Sequence, residues 1–213
     1  MSNLFEFNFS GISVLPDKRE VIVRIRAKPN DMVNSPDGKE ESIEDFLAGF
    51  YKKAEGYIKP KGIYSLESIR HSENGLYFPE KNIFIESSLL AEKFSNQDST
   101  VVFAVTIGGM LENYSQNLSE DGKMLEALIY DAIGSEAADC AVEIMHEALS
   151  PKNLPEKRRY SPGYPGWDLS EQKNLFDIIG RKEAEEIAGI TINDTCYMSP
   201  RKSVSGIIMI QKK

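Results

Sequence analysis

The sequence has few of the residues that build metal sites or disulfide frameworks. It contains two cysteines and two histidines in 213 residues. Cys140 and Cys196 lie far apart, and neither Cys-x-x-Cys nor His-x-x-x-His spacing occurs, so no metal site is predicted. Cys140 and His146 would lie at positions i and i+6 of one helix, which points them to different sides and disfavours a nucleophilic pair. Both cysteines are expected to be small, buried and free of a disulfide.

Long hydrophobic runs and a surplus of positive charge are also missing. No apolar stretch approaches the roughly 20 residues of a membrane span, and the first residues lack the pattern of a secretory signal. The net charge of -8 argues against binding to nucleic acid or to an anionic membrane. A hydrophobic content of 41% excludes wholesale disorder. These features predict a globular cytoplasmic protein.

Three common catalytic or nucleotide-binding motifs are absent. The sequence has no G-x-x-x-x-G-K-[ST] loop, no G-x-G-x-x-G after a strand and no G-x-S-x-G elbow. An ordinary nucleotide-fold dehydrogenase or methyltransferase is therefore not supported.

The first half of the chain alternates short strands with one clear helix. Alternating apolar residues or β-branched side chains indicate strands, and Ser42 is a suitable helix cap. Residues 28–40 are expected to form an exposed loop, and residues 59–80 show no clear period. The predicted elements are strands over Leu4–Phe9, Glu20–Arg26, Asn82–Ser87 and Thr100–Ile107, with helices over Ile43–Tyr57 and Ser88–Ser95.

The second half is more helical. Apolar residues at steps of three and four predict one long helix over Met124–Leu149. Two shorter helices follow, over Leu169–Ile179, capped by Asp168 or Ser170, and over Lys182–Ala188, ending at Gly189. Strands are predicted over Ile190–Met198 and Ser203–Ile210. Because helices and strands follow in mixed order, the sequence predicts an α+β fold.

A loop at residues 156–167 combines arginines with aromatic, proline and glycine residues. Arg159 could pair with a carboxylate through two hydrogen bonds, and the backbone at Gly163 could approach a ligand. Tyr164 or Trp167 could stack on a base or face a cation. The alternative is a stiff surface connector with solvated arginines.

An acidic strip runs along the long helix. Glu136, Asp139, Glu143 and His146 recur at steps of three and four, on one face. The strip could hold the cationic part of a ligand. It could equally be the solvent face of an amphipathic helix.

Two serines and a glycine near the end of the chain lie on the last predicted strand. Ser203 and Ser205 share one face and could bond a ligand, a partner or a neighbouring turn. Gly206 indicates close backbone approach or a bulge.

Four ordered blocks resemble the activation domain of cobalamin-dependent methionine synthase. The loop Arg159–Pro165 looks like that family's R-x-x-x-G-Y signature. The other three blocks are Phe103–Gly108, Asp131–Ser135, and Thr195–Pro200 with Ser203–Gly206, which are similar to the family's T-L-G strand, D-A-x-G helix start and S-V-S-G ending. The resemblance covers roughly residues 80–210, within an activation-domain-like core over residues 80–213, and residues 1–80 are expected to belong to the same domain.

The resemblance implies a fold and a role. The fold would be α+β, with a bent, mainly antiparallel sheet flanked by helices. The role would be binding of S-adenosylmethionine for reductive methylation of cob(II)alamin, with an electron from flavodoxin or a similar reductase. Because the two cofactors carry that chemistry, the protein would supply positioning and electrostatics, without a general acid or base.

The resemblance also implies site residues. Arg159 matches the signature arginine and would meet the ligand's carboxylate, while Gly163 and Tyr164 match the Gly-Tyr step whose backbone lies close to the ligand. Asp139 matches an acidic residue near the ligand's positive groups, and Glu143 is a second choice for that role. Trp167 is a further candidate, as a ring against the ligand.

Two departures from the family pattern bear on function. The family's long form continues past S-V-S-G with a paired-tyrosine segment, whereas this sequence ends at Lys213. No part of the sequence resembles the cobalamin, homocysteine or folate domains. The expected role is therefore an accessory subunit acting in trans on a cobalamin-binding partner chain, rather than a complete enzyme.

Other functions remain open at this point. The domain could serve another corrinoid methyltransferase, or it could be an interaction module that has lost the ligand. A net charge of -8 would not attract an acidic flavodoxin unless a basic patch such as Lys157, Arg158 and Arg159 does so.

Overall fold

A computed structural model describes residues 3–34, 38–150 and 159–210 of the chain. Its helices are α1 (Lys18–Arg24), α2 (Ile43–Tyr57), α3 (Ser88–Lys93), α4 (Met110–Glu120), α5 (Met124–Leu149), α6 (Gln172–Ile179) and α7 (Arg181–Glu183). Its strands are β1 (Leu4–Phe7), β2 (Met32–Asn34), β3 (Glu40–Ser42), β4 (Lys61–Ser68), β5 (Arg70–Ser72), β6 (Gly75–Phe78), β7 (Ile83–Glu86), β8 (Ser99–Thr106), β9 (Arg159–Tyr160), β10 (Thr191–Ile192), β11 (Met198–Ser199) and β12 (Ser203–Met209).

A five-stranded sheet forms the centre of the molecule. Its order is β1-β4-β8-β12-β9, and every neighbouring pair is antiparallel. Smaller sheets pair β2 with β3, β10 with β11, and β5 with β6 and β7. The combination of helices with an antiparallel sheet confirms the predicted α+β class.

The central sheet separates two hydrophobic cores. Alternate residues of β8 supply both, since Val101, Phe103 and Val105 belong to the first core, and Val102 and Ala104 to the second. Helices α1, α2, α4 and α5 contribute to the first core, whereas α3, α6 and the segment from Ala184 to Ala188 contribute to the second. A sheet covered on both faces explains why β8 is almost continuously apolar.

Most predicted elements are confirmed. Ser42 caps α2, since its hydroxyl accepts a hydrogen bond from the Asp45 amide at 3.2 Å. Asp168 caps the 3-10 turn before α6, accepting from the Ser170 amide at 2.8 Å. The helix that begins at Arg181 ends at Gly189, which has a left-handed φ of 69°. The predicted strands β1, β7, β8 and β12 and the helices α3 and α5 are present with small shifts in their ends.

The strand predicted over Glu20–Arg26 is wrong, because most of this segment belongs to helix α1, which ends at Arg24. Packing outweighs the strand preference of its β-branched residues: Val21 and Ile22 are buried, whereas Val23 is 74% exposed. Asp17 caps the helix by accepting from the Arg19 amide at 2.8 Å. Glu20 follows three residues after this cap, and that spacing was the sequence signal for a helix start.

Residues 59–80 contain strands that the sequence did not reveal. Strand β4 lies between β1 and β8, yet its side chains toward the second core include Ser65 and Glu67, so no apolar period is visible. The predicted loop over residues 28–40 instead contributes β2 and the start of β3. The strand predicted over Ile190–Met198 is interrupted by a turn, in which the Asn193 side chain accepts from the Thr195 and Tyr197 amides.

Within the described ranges, no helix is both long enough and apolar enough to cross a membrane.

Glu67 is a buried acid on β4, a strand of the central sheet. It is 2% exposed, and its carboxylate accepts a hydrogen bond from Ser65, while Lys81 Nζ lies 3.9 Å from its Oε1. Burial raises the pKa of Glu67 above its usual range, against smaller lowering effects from Ser65 and Lys81. Because the folded-state pKa is raised, ionisation of Glu67 costs stability in full above that pKa, and the cost shrinks as pH falls from there toward the ordinary carboxyl pKa of the unfolded chain.

We therefore expect Glu67→Gln to be at least as stable as the wild type at neutral pH. The amide keeps the shape and an acceptor for Ser65 but removes the buried charge. The stability difference between the two proteins should shrink toward acid pH as Glu67 becomes protonated. Thermal melts across that range would measure it, with Glu86→Gln on an exposed site as the control. If the stability of Glu67→Gln relative to the wild type instead increases as the pH falls, this expectation is contradicted.

Candidate functional site

Strand β9 places Arg159 at the edge of the central sheet, beside α5. Arg159 pairs with Ile208 of β12, and Tyr160 pairs with Ile207. Tyr160 packs in the second core against Phe94, so Arg159, the adjacent residue, faces the opposite side of the sheet. The Arg159 side chain is half-buried, and its Nη1 is buried with no hydrogen-bond partner among the described residues. A buried guanidinium nitrogen without an acceptor indicates a place for an anionic group.

Helix α5 brings the predicted acidic strip to this arginine. Glu136, Asp139 and Glu143 are half-buried and His146 is buried, so the strip is not the solvent face of the helix. Burial raises the pKa of Asp139 above its ordinary range, and Arg159 is the strongest of the charges that lower it. Asp139 and Arg159, which are 20 residues apart in sequence, are therefore electrostatic neighbours.

Arg24 of α1 contacts the same acidic strip. Its Nε donates to Glu136 Oε1, and its Nη2 lies 3.5 Å from Asp139 Oδ2. The side chains are 42%, 16% and 50% exposed for Arg24, Glu136 and Asp139, respectively. No sequence signal indicated Arg24 as a site residue, because it lies on a segment predicted as a strand and far from the recognised blocks.

This arrangement suits a zwitterionic ligand. An arginine with a free donor binds a carboxylate, and adjacent carboxylates bind an ammonium or another cation. The α-amino acid part of a metabolite carries both charges a few ångströms apart. The cluster of Arg159, Asp139, Glu136 and Arg24 is called the charged cluster below.

The loop after β9 is held by hydrogen bonds and packs toward the second core through Trp167. The Gly163 amide donates to the Trp167 carbonyl at 2.8 Å, and the Trp167 amide donates to the Tyr164 carbonyl at 2.8 Å. The Gly166 carbonyl accepts from Ser87 Oγ at 2.8 Å, which ties the loop to the start of α3. Among the described residues, the hydrogen bonds of this loop run within it and to α3, and none reaches α5.

The predicted site residues therefore fall into two groups. Arg159, Asp139 and Glu143 lie on the first-core side of β9, whereas Gly163 and Tyr164 lie on the loop beyond it. Tyr164 is 45% exposed, but Trp167 is 2% exposed and packs in the second core. This burial favours a structural role for Trp167 over the ligand contact that we predicted. Lys157 and Arg158, the rest of the predicted basic patch, lie outside the described residues.

Gly206 shows the close approach that the sequence indicated. A Cβ at this position would lie 2.3 Å from the Tyr160 carbonyl oxygen and 2.9 Å from Ser161 Oγ. The absence of a side chain on β12 therefore lets β9 and the following loop lie against it. Ser203 makes a turn contact, donating to the Pro200 carbonyl at 2.6 Å, while Ser205 Oγ is buried without a hydrogen-bond partner in the described part of the chain.

Three of the recognised blocks meet at the other end of β12. Lys202 Nζ lies 2.7 Å from both Asp131 Oδ1 and Ser135 Oγ, which joins the C-terminal block to the N-terminal half of α5. The Lys202 carbonyl accepts from the Ile107 amide at 3.1 Å and from Thr106 Oγ1 at 3.3 Å. These motif residues hold the sheet and α5 together, and their role is structural.

The cysteines carry no evident chemistry. Both are free and half-buried. Burial and nearby carboxylates raise the pKa of Cys140 to about 11, so its thiol stays protonated at neutral pH and is a poor nucleophile. Among the described residues, no group of three or more histidine, cysteine or acidic side chains could hold a metal ion.

Fold and site together define an α+β domain with a charged cluster suited to an amino-acid-like ligand. The family described as "Vitamin B12 dependent methionine synthase, activation domain" matches residues 79–213, which is more than half of the chain. The chain belongs to this family of activation domains. The match also agrees with the region covered by the predicted resemblance.

A solved structure supports the fold over nearly the whole chain. It is described as the "MetH Reactivation Domain bound to AdoHcy", and it superposes with a TM-score of 0.68 at 16% sequence identity. The similarity covers 97% of this chain and 77% of that one. It includes the N-terminal region that precedes the family match. A search of curated proteins found no significant match.

Proposed function

We propose that this domain binds S-adenosylmethionine and supports the reductive methylation of cob(II)alamin in a cobalamin-dependent methionine synthase, with the cobalamin on a partner chain. The observation that carries the proposal is the buried Arg159 Nη1, which has no hydrogen-bond partner among the described residues and faces α5, where Asp139 lies. Membership of the activation-domain family supports S-adenosylmethionine as the ligand of this site. The solved structure with the same fold is described as bound to AdoHcy, the product of methyl transfer from S-adenosylmethionine.

Each site residue has a proposed role. Arg159 binds the carboxylate of the methionine part through its free guanidinium donor. Asp139 stabilises the positive groups of the ligand, with Glu143, one turn further along α5, as the second candidate. The backbone at Gly163 and Tyr164, on the loop that follows β9, is the further ligand contact that the family resemblance implies. These residues position the ligand.

The bound ligand supplies the methyl group, and the partner's cobalamin accepts it together with one electron. The domain's contribution is orientation and electrostatics, so no general acid or base is required of its side chains. The electron donor is proposed to be flavodoxin or a similar reductase, and the compartment is proposed to be the cytoplasm.

The first test is calorimetric titration of S-adenosylmethionine into the wild type and Arg159→Ala. We expect the wild type to bind and the variant to lose about 2 kcal/mol, roughly 30-fold in affinity, because a charged hydrogen-bonding partner of the carboxylate is removed. Arg181→Ala is the matched control, since Arg181 pairs with Asp177 on the surface of α6, away from β9. Equal binding by wild type and Arg159→Ala would overturn the site assignment.

The partner is tested separately. The wild-type domain, immobilised in the presence of S-adenosylmethionine, should retain a cobalamin-binding methionine synthase subunit more strongly than a corrinoid methyltransferase that acts on other substrates. If the domain retains the other corrinoid methyltransferase more strongly, the proposed function becomes the reactivation of that second class of enzyme.

A further inference from the structure

The N-terminal region contributes a cation to the charged cluster. Residues 79–213 carry the family match, but Arg24 precedes them and reaches α5 from α1. Its guanidinium contacts Glu136 through Nε and Asp139 through Nη2, the latter at 3.5 Å. Asp139 thus has an arginine neighbour on each of two elements, Arg24 on α1 and Arg159 on β9.

Formal charges at the cluster are balanced by these two arginines. Glu136 and Asp139 carry two negative charges, and Arg24 and Arg159 carry two positive ones. Arg159 has a free donor and can turn it to a ligand's carboxylate. Arg24 instead directs its nitrogens at the carboxylates that a ligand's cation would need. The charge of Arg24 therefore opposes a positive ligand group beside Asp139.

S-adenosylmethionine and its demethylated product differ in one charge. Both carry an ammonium and a carboxylate, but only the former has a sulfonium, whereas AdoHcy has a neutral thioether. A positive charge near the sulfur therefore disfavours the sulfonium form relative to the thioether form, because the two forms share the ammonium and the carboxylate and differ only at the sulfur. At separations of several ångströms near a protein surface, such a repulsion amounts to roughly a tenfold difference in affinity.

We infer that Arg24 sets the selectivity of the site between the sulfonium and thioether forms of the ligand, by lowering the affinity for the sulfonium form relative to the thioether form. The inference rests on the proposed function, because it requires that the ligand occupy the charged cluster. As a consequence, the affinities for AdoHcy and S-adenosylmethionine are closer to each other than they would be in a site without Arg24.

The experiment measures affinities of full-length protein for S-adenosylmethionine and for AdoHcy by calorimetry, in wild type and Arg24→Gln. We expect the ratio of the two association constants to rise about tenfold in favour of S-adenosylmethionine in the variant. Arg24→Lys keeps the charge and should retain a ratio close to that of the wild type. Arg19→Gln removes an exposed positive charge from the same helix and should leave the ratio unchanged.

The outcomes separate this inference from the proposed function. If all proteins bind both ligands but the ratio is the same in Arg24→Gln, the inference about Arg24 is overturned and the ligand assignment stands. If Arg24→Gln tightens both ligands equally, Arg24 competes with the ammonium and the selectivity role is overturned. If the wild type and all variants remain folded in thermal melts but bind neither ligand, the proposed function fails as well.

Discussion

Residues 79–213 expressed alone should fail to fold cooperatively, although the family match covers all of them. Strands β1 and β4 precede residue 79, and β4 lies between β1 and β8 in the central sheet. Without β4, the backbone edge of β8 would be open along its whole length. Since residues 100–106 of β8 are all buried in the intact protein, this edge would be long and apolar, which favours aggregation.

The N-terminal region also supplies much of the first core. Gly62 of β4 lies against Met145 of α5, so closely that a Cβ there would be 2.6 Å from Met145 Cε. Loss of these contacts would expose apolar surface on α5, at about 25 cal/mol for each Å² returned to water. The buried side chains that this region contributes to the first core are Phe9, Val14, Val21, Ile22, Ile43, Phe46, Leu47, Ala54 and Ile58.

Circular dichroism melts and size-exclusion chromatography of the fragment would test this expectation. We expect aggregation or a broad, non-cooperative melt, compared with one sharp transition for the full chain. Co-expression with residues 1–78 is the control, because the separate N-terminal piece should restore the sheet if its packing is what the fragment lacks. A sharp melt of residues 79–213 alone would show that the family core is independent of β1, β4 and α1.

Gly206→Ala should uncouple strand β9 from the sheet and with it the proposed ligand site. The added Cβ would lie 2.3 Å from the Tyr160 carbonyl oxygen, and this backbone atom cannot rotate away as a side chain could. Phe103 Cε1, at 3.1 Å, closes the space on the other side. Because β9 contains only two residues, it has few bonds with which to resist the displacement.

We expect a stability loss of about 1–3 kcal/mol, typical of overpacking, together with loss of S-adenosylmethionine binding as Arg159 moves. Chemical denaturation and calorimetry would measure the two effects. Gly49→Ala is the matched control: it lies inside α2 with nothing within 4 Å of the added Cβ, so it should stabilise the protein by about 0.5–1 kcal/mol. Unchanged stability and binding in Gly206→Ala would show that β9 tolerates the shift.

Local features of the sequence predicted much of the fold. Capping and periodicity located α2, α5 and the helix ending at Gly189, because these signals act over a few residues and do not depend on distant neighbours. The apolar run of β8 indicated a strand, and the two cores that flank it explain why the run is almost continuous. Segments whose structure depends on tertiary packing were predicted less well, as with α1, whose β-branched residues favour a strand, and β4, whose buried face contains Ser65 and Glu67.

The same division holds for the site. The sequence by itself determined the family, through four ordered blocks, and with it the proposal that Arg159 and Asp139 contact the ligand. Only the tertiary structure decided that Trp167 is buried in the second core and that Arg24 lies against the acidic strip. The physical reason is that charges act through space: Arg24 and Asp139 are more than a hundred residues apart in sequence, and only the packing of α1 on α5 brings their side chains together.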